Sequence, residues 1–318
     1  IDYGTTGRSV MKVQITTSSF DLNNFVESEL LASADIEIAL NPMKSRLTES
    51  QVTELLNDDV VGMIAGLEPL NESVLRNAKT LKIIVRCGTG LDSVDLDVAR
   101  ELGIDVFNTP NAPARAVAEL TIGHMLNALR HISATDHFLR EGSWNPTMGS
   151  LLGTKKVGLI GFGRIGKMVS DLLLAFGASV QAFDPMVSAK SPQVEMCDLN
   201  TLLLTSDIVS LHIPYSTSTH HLINAEALSL MKPQSILVNI SRGGLIDEDA
   251  LFHSLTTNKI AGAALDCFEI EPYTGPLRTL PNVCSTSHMG SYARETRDQM
   301  EIEASTALVM ALKKHGFI

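Results

Sequence analysis

Four side chains in this sequence carry the means for proton transfer and carboxylate recognition, and three of them stand at the ends of apolar runs. Arg242 follows SILVNIS, Asp266 ends AGAALD, Glu271 comes five residues later, and His288 follows VCSTS. Runs of this kind read as strands of a parallel sheet, whose ligands lie outside the carboxyl ends of the strands. Groups tens of residues apart in sequence are therefore expected at one rim. His288 has the right acidity to give or take a proton near neutrality. Glu271, hydrogen-bonded to the other ring nitrogen, would orient the imidazole and stabilise its charged form. Arg242 offers a planar fork that fits a carboxylate and polarises a carbonyl, unless it only ties down its own loop. Such a set suits reduction of a 2-oxo acid, in which charge builds on the carbonyl oxygen and an acid must neutralise it.

Reduction needs a hydride source, and a second motif points to one. KKVGLI (155–160) reads as a buried strand, GFGRIG (Gly161 to Gly166) as a tight turn, and the following residues as a helix closed by Gly177. Ile165, Val169, Leu172 and Phe176 are expected on its packed face, with Met168 also taken as helix packing. The strand SVQAFD then ends on Asp184, 18 positions after Gly166. Glycines at such a turn admit a pyrophosphate to backbone N–H groups at a helix N-terminus, and the acid reaches the ribose hydroxyls. Asp184 would repel a 2′-phosphate, and Pro185 and Met186 supply no arginine, so NAD is expected rather than NADP. Asp266 would then orient the nicotinamide carboxamide, buffer local charge, or merely satisfy backbone donors near Cys267.

The composition excludes several other classes. At 318 residues with a net charge of −11, no stretch is basic enough for a nucleic-acid or anionic-membrane partner. No apolar run reaches the length of a membrane span, and no leader pattern is present. Four cysteines without paired spacing read as reduced core thiols of a cytoplasmic protein. His220 and His221, adjacent in sequence, read as a solvated loop with divergent side chains. His124, His131 and His137 lie along or near a helix without a zinc-binding pattern, and no metal is expected. Residues 1–10 precede a strand starting at Met11 and are read as a cloning remnant or disordered extension.

The elements that position these groups fall into two series. Strand-like runs at 12–16, 36–40, 60–66, 81–87 and 104–108 alternate with helical patterns, one opening at Thr48 with a capping box to Gln51 and another near Asn71. Pro110 and Pro113 interrupt the chain before a long apolar helix that runs to Arg130. A second series places strands near 155–160, 179–184, 207–212, 235–240, 261–266 and 283–287, and a helix closes the chain from about Tyr292. This is an α/β pattern of two doubly wound parallel-sheet domains with a cleft between them.

The motifs VRCGTGLDSVDLD, NTPNAPARAVAELT, GLIGFGRIGK, VNISRGGLIDEDAL, AGAALDCFEIEP and STSHMGSYARET together resemble the D-isomer-specific 2-hydroxyacid dehydrogenases, most of all the D-3-phosphoglycerate dehydrogenases. The resemblance runs from about Val60 to Ala307. It implies a Rossmann NAD-binding domain at 109–291 and a discontinuous flavodoxin-like substrate-binding domain at 11–108 and 292–318. It assigns catalysis to Arg242, Glu271 and His288. Substrate would contact Arg86, Gly88, Thr89, Gly90, Arg242 and His288, with Arg130 at another place where basic side chains occur. The NAD site would be lined by Thr89, Gly161, Gly163, Arg164, Ile165, Gly166, Asp184, Pro185, His212, Pro214, Thr219, Ser241, Asp266 and Gly290. A homodimer, with the helix 113–130 in the contact, is implied as well.

Two departures bear on the substrate. Phosphoglycerate enzymes often carry a cation after the third strand, where this chain has AGLEPL (65–70). Their long forms append a regulatory domain, whereas this sequence ends at Ile318, so serine feedback through such a domain is not expected. The expected activity is hydride transfer between NAD(H) and C2 of 3-phosphoglycerate/3-phosphohydroxypyruvate, in serine biosynthesis. Hydroxypyruvate or glyoxylate is the alternative substrate. Two other classes are weighed against it: an NAD-sensing, corepressor-like binding protein, and a formate-oxidising enzyme, whose motifs differ from these.

Overall fold

A computed structural model of the protein describes residues 10–187 and 192–318. Apart from Val10, the segment read as an extension lies outside the described residues. The chain divides into two compact units, one made of the residues up to Pro113 together with Ala293–Ile318, the other of Ala114–Tyr292.

In the first unit, β1 (Met11–Ile15), α1 (Ser28–Ser33), β2 (Ile36–Leu40), α2 (Glu49–Leu55), β3 (Val60–Ala65), α3 (Glu72–Asn77), β4 (Ile83–Arg86), α4 (Leu96–Glu101) and β5 (Asp105–Asn108) alternate without exception. The strands pair in parallel in the order β2-β1-β3-β4-β5. That is the doubly wound, flavodoxin-like order, reversing between β1 and β3. Every residue of β3 and β4 is buried, because helices cover both faces of the sheet. Val13, Ile15, Ile64, Ile83 and Val85 pack beneath Met300, Leu308 and Leu312 of the closing helix, Arg294–Lys314. Met63 and Ile84 face the other way, toward Val52, Val74, Leu75 and Val98. The helices start where side-chain acceptors stand: Thr48 and Gln51 form a reciprocal capping box, and Asn71 and Asp95 accept N–H groups of Val74 and Val98.

In the second unit, α5 (Pro113–Arg130) and α6 (Ile132–Arg140) precede β6 (Lys156–Ile160), α7 (Arg164–Ala175), β7 (Ser179–Phe183), β8 (Val194–Met196), α8 (Leu199–Thr205), β9 (Ile208–Leu211), α9 (Ala225–Leu230), β10 (Ile236–Asn239), α10 (Glu248–Thr256), β11 (Gly262–Leu265) and β12 (Val283–Ser285). All strands are parallel, in the order β12-β11-β10-β9-β6-β7-β8. This is the Rossmann order with a seventh strand, and it reverses between β6 and β9. Alternate residues of the central strands serve opposite faces: Val157, Leu159, Ile208 and Val238 join one apolar layer, while Ile160, Val209, Leu211 and Leu237 join the other.

Three features depart from the sequence reading. The edge strand β8 escaped it, because three residues carry too little periodic signal. The helix α6 was likewise not anticipated; His131, at φ +55°, breaks it from α5, and none of its residues is buried. The inner face of α7 is Gly166, Val169, Ser170 and Leu173, whereas Met168 and Phe176 are exposed. The reason is that Gly166 seats the helix directly on the preceding turn, which rotates Met168 and Phe176 outward. Among the described residues, no helix is long and apolar enough to cross a membrane.

Candidate functional site

The glycine turn joins β6 to α7 at the point where the strand order reverses. Gly161 has φ +100°, and a Cβ there would lie 2.5 Å from the His212 carbonyl oxygen. A Cβ on Gly166 would lie 2.2 Å from the Gly161 oxygen. These two glycines permit close backbone packing. Gly163, the N-cap of α7, differs: nothing lies within 4 Å of where its Cβ would be. Arg164 and Ile165 open the helix, Arg164 exposed and Ile165 half-buried against the core. The open side of Gly163, together with first-turn N–H groups that have no intrahelical acceptor, fits a pyrophosphate.

Asp184 stands just beyond β7, with Pro185 exposed beside it. Its Oδ2 accepts the Phe162 N–H at 2.8 Å, and its Oδ1 accepts the Met186 N–H at 2.9 Å. The carboxylate thus ties the second strand to the glycine turn, and each oxygen keeps a further lone pair for hydroxyl donors.

The loops leaving β9 and β10 form the next stretch of this rim. His212 is partly buried, with Nε2 2.9 Å from the Ser210 hydroxyl, and loss of water pushes its pKa down to about 4. Thr219 folds its loop by donating to the Pro214 carbonyl at 3.1 Å and accepting the Ser216 N–H at 2.8 Å. The Ser241 hydroxyl donates to the Ile213 carbonyl at 2.6 Å, which joins the two loops. Arg242 follows, with Nη1 donating to the Ser241 carbonyl at 2.7 Å and its own carbonyl accepting from Asn239 Nδ2 at 2.8 Å.

The His288–Glu271 pair completes the rim. His288 Nδ1 lies 2.9 Å from both carboxylate oxygens of Glu271, and Glu271 Oε1 also accepts the Phe268 N–H at 3.1 Å. With Nδ1 engaged, Nε2 is the ring nitrogen left for a ligand. His288 adopts φ +53°, and its N–H donates to the Asp266 carbonyl at 2.7 Å. Asp266 is 1% exposed and accepts the Met289 and Gly290 N–H groups, each at 2.8 Å, and the Thr286 hydroxyl at 2.5 Å. It does satisfy backbone donors, but those of the His288 turn rather than ones near Cys267. Its neighbour Cys267 is buried, and loss of water pushes that thiol well up.

In the first unit, Arg86 ends β4 and Gly88, Thr89 and Gly90 form the following loop. Gly88 has φ +148°; its N–H donates to Thr109 Oγ1 at 2.8 Å, and its carbonyl accepts the Thr109 N–H at 3.0 Å. Asn108 Nδ2 donates to the Thr89 carbonyl at 2.7 Å. Arg86 is buried, and its Nη1 donates to the Cys87 carbonyl. Glu68, also buried, accepts the Thr16 hydroxyl and, at 2.9 Å, the Gly66 N–H. Arg130 ends α5 in the second unit, where its cation suits the helix C-terminus.

Asn108, Thr109 and Thr286 stand in the sequence only as parts of motifs; the structure makes Thr109 pin Gly88, Asn108 hold Thr89 and Thr286 reach Asp266. The available signal was their place immediately after a strand. His220 and His221 do lie in a solvent-facing loop, but their side chains do not diverge. Their rings stack at 3.7 Å, and His221 pairs with Glu269, because His221 adopts φ +50° and turns the chain back on itself. Among the described residues, no cluster of three His, Cys, Asp or Glu side chains could hold a metal ion.

Two parallel doubly wound units, one carrying a glycine turn, an acid at the end of the next strand and an arginine–glutamate–histidine rim, define a nicotinamide-dependent dehydrogenase of the two-domain kind. The family model for the D-isomer specific 2-hydroxyacid dehydrogenase NAD binding domain matches residues 122–290. A hydroxypyruvate reductase of Thermotoga maritima is 40% identical over 270 residues, covering 83% of this chain and 88% of its own. A D-3-phosphoglycerate dehydrogenase of Methanocaldococcus jannaschii is 39% identical over 275 residues, covering 84% of this chain and 52% of its own. This chain thus spans about half the length of that relative. The crystal structure of the TT0316 protein from Thermus thermophilus superimposes with a TM-score of 0.85 at 33% identity, over 96% of this chain and 97% of that one. The chain belongs to the D-isomer-specific 2-hydroxyacid dehydrogenase family, oxidoreductases that act on CH–OH groups with NAD.

Proposed function

We propose that this protein interconverts a small D-2-hydroxy acid and its 2-oxo acid, with unphosphorylated hydroxypyruvate as the preferred oxo acid. The observation that carries the reaction is the pairing of His288 Nδ1 with both oxygens of Glu271 at 2.9 Å. Glu271 holds the ring so that Nε2 gives its proton to the carbonyl oxygen during reduction and takes it back during oxidation. Arg242 grips the carboxylate and polarises the ketone; within the first unit, the N–H groups of Gly88 to Gly90 are of the kind that receives a carboxylate. NAD, when bound, supplies or accepts the hydride at C2. Gly161, Gly163, Arg164, Ile165 and Gly166 receive its pyrophosphate, and Asp184 its adenosine ribose. Pro185, His212, Pro214, Thr219, Ser241, Asp266 and Gly290 line the remainder.

The choice of an unphosphorylated substrate rests on two side chains. Arg86 turns onto the backbone of its own loop, and Glu68 stands in the AGLEPL segment, where a cation would serve a phosphate. A buried acid there disfavours a second anionic group. The 3-phosphoglycerate reading, with a role in serine biosynthesis, is favoured instead by 39% identity to a phosphoglycerate dehydrogenase. Steady-state kinetics with NADH separate the two. Hydroxypyruvate should exceed 3-phosphohydroxypyruvate in kcat/KM, and the reverse order would restore the phosphoglycerate reading. Failure of NADH turnover with these, glyoxylate, pyruvate and longer 2-oxo acids would refute the reductase itself.

A homodimer accompanies this reading. Ile132, Phe138 and Leu139 of α6 and the nearby Trp144, Met148 and Leu151 are exposed, from 43% to 92%, an apolar surface of the kind that a second copy covers. Sedimentation should return twice the chain mass, and a monomer would refute the dimer. The four cysteines are free, which accords with a cytoplasmic setting.

A further inference from the structure

The catalytic reading leaves unused a buried histidine on α5. His124 is 3% exposed; its Nε2 lies 2.9 Å from Thr286 Oγ1, and its Nδ1 lies 3.7 Å from Cys284 Sγ. The hydrogen bonds around it allow only one polarity. The Thr286 hydroxyl has a single proton, and the Asp266 carboxylate 2.5 Å away takes it. Thr286 Oγ1 must therefore accept from His124, which places a proton on Nε2. The bare Nδ1 then accepts from the Cys284 thiol. That sulfur in turn accepts from Asn127 Nδ2 at 2.6 Å, and the Asn127 amide cannot flip, because its Oδ1 accepts the Ser133 N–H at 2.8 Å. Every donor points the same way, from the start of α6, through α5 and β12, to Asp266.

Asp266 is where this line of donors meets the rim. Its Oδ1 receives Thr286 and the Met289 N–H, its Oδ2 the Gly290 N–H, and its carbonyl the His288 N–H. The turn it holds keeps His288 at φ +53°, a left-handed conformation that persists only where surrounding contacts over-determine it.

We propose that His124 is a positioning residue for His288, acting through Thr286 and Asp266 to hold the 288–290 turn. This rests on the reductase reading of the rim. Burial lowers the pKa of His124, with Asp266 opposing, in keeping with a neutral ring. A charged ring would also set Nδ1–H against S–H. The same arrangement gives Cys284 a structural duty: its thiol is raised by loss of water, so it is poorly disposed to act as a nucleophile.

The test uses the intact protein in two independent ways. Nitrogen-15 NMR of the histidine rings needs no turnover, so it reads the relay whether or not the reductase assignment stands. His124 should carry its proton on Nε2 and stay neutral at pH 7; a proton on Nδ1, or an imidazolium, would overturn the relay. Kinetics then read its consequence. His124→Leu should lower kcat roughly tenfold, the size expected for one buried hydrogen bond left unmade, while the Kd for NADH stays within about twofold. His124→Gln, which restores an N–H toward Thr286, should recover most of the rate. Equal loss in both variants, or loss of thermal stability with kcat unchanged, would reduce His124 to packing. Should His124→Leu not fold, Thr286→Val against Thr286→Ser makes the same comparison: only the valine variant should lose rate. A wild type that binds NADH but turns over no 2-oxo acid would instead overturn the reductase reading.

Discussion

His288 Nδ1 stands 2.9 Å from each oxygen of Glu271, so the carboxylate is centred on the ring nitrogen rather than leaning on it through one oxygen. The Phe268 N–H, 3.1 Å from Glu271 Oε1, keeps the carboxylate from rotating. Together these contacts fix the imidazole through Nδ1, and in the proposed function Nε2 carries the proton transfer. His288→Ala should therefore lower kcat for reduction about a hundred- to ten-thousandfold, with NADH affinity little changed. Glu271→Gln should retain folding and NADH binding but lose much of kcat, because the amide no longer neutralises the charged ring. Steady-state kinetics with fluorescence titration of NADH check both. Full activity of His288→Ala would remove His288 from catalysis.

The glycine turn allows packing and binding to be separated. Gly166→Ala would drive a methyl to 2.2 Å from a backbone oxygen, so thermal unfolding should show a loss on the order of 3 kcal/mol. Gly163→Ala meets nothing within 4 Å and should keep stability within about 0.5 kcal/mol of the wild type. Its methyl nevertheless fills the space offered to the pyrophosphate, so NADH binding should weaken. Unaltered NADH affinity in Gly163→Ala would place the cofactor elsewhere.

Asp184 ties the glycine turn to the end of β7, and in the proposed function it receives the adenosine ribose as well. The wild type should use NADH far better than NADPH, and Asp184→Ala should narrow that preference by removing the repulsion of a 2′-phosphate. The same change frees the N–H groups of Phe162 and Met186, so affinity for NADH should fall even as the preference narrows. Kinetics with both cofactors are the check, and equal use of the two by the wild type would contradict the role of the acid.

His212 sets an acid limit on the fold. Its folded pKa, about 4, lies below its ordinary value of 6.5, so the unfolded chain binds a proton over that interval and the folded chain does not. Stability from the neutral ring is full above pH 6.5 and is lost progressively as pH falls toward 4. Denaturant midpoints measured across this window should decline with acidity, and His212→Gln should flatten the decline. An identical slope in the variant would assign the acid sensitivity to other groups.

The sequence alone carried the strand-and-helix alternation, the glycine turn with Asp184 at the next strand end, and the collection of Arg242, Asp266, Glu271 and His288 on one rim. It could do so because buried parallel strands read as continuous apolar runs, and because parallel pairing sends all carboxyl ends the same way. Only the tertiary structure decided which atoms meet. That α7 buries Gly166 and Leu173 while Phe176 lies exposed depends on how closely the helix seats on Gly161, which periodicity does not report. That His220 and His221 stack depends on one left-handed residue, and neighbours in sequence say nothing of it. That His124 reaches Asp266 through Thr286 depends on a helix lying beside the residue that follows β12, 162 positions later. Local sequence sets element type through short-range propensity and pattern, whereas proton polarity along a chain of hydrogen bonds exists only once distant donors and acceptors are within about 3 Å.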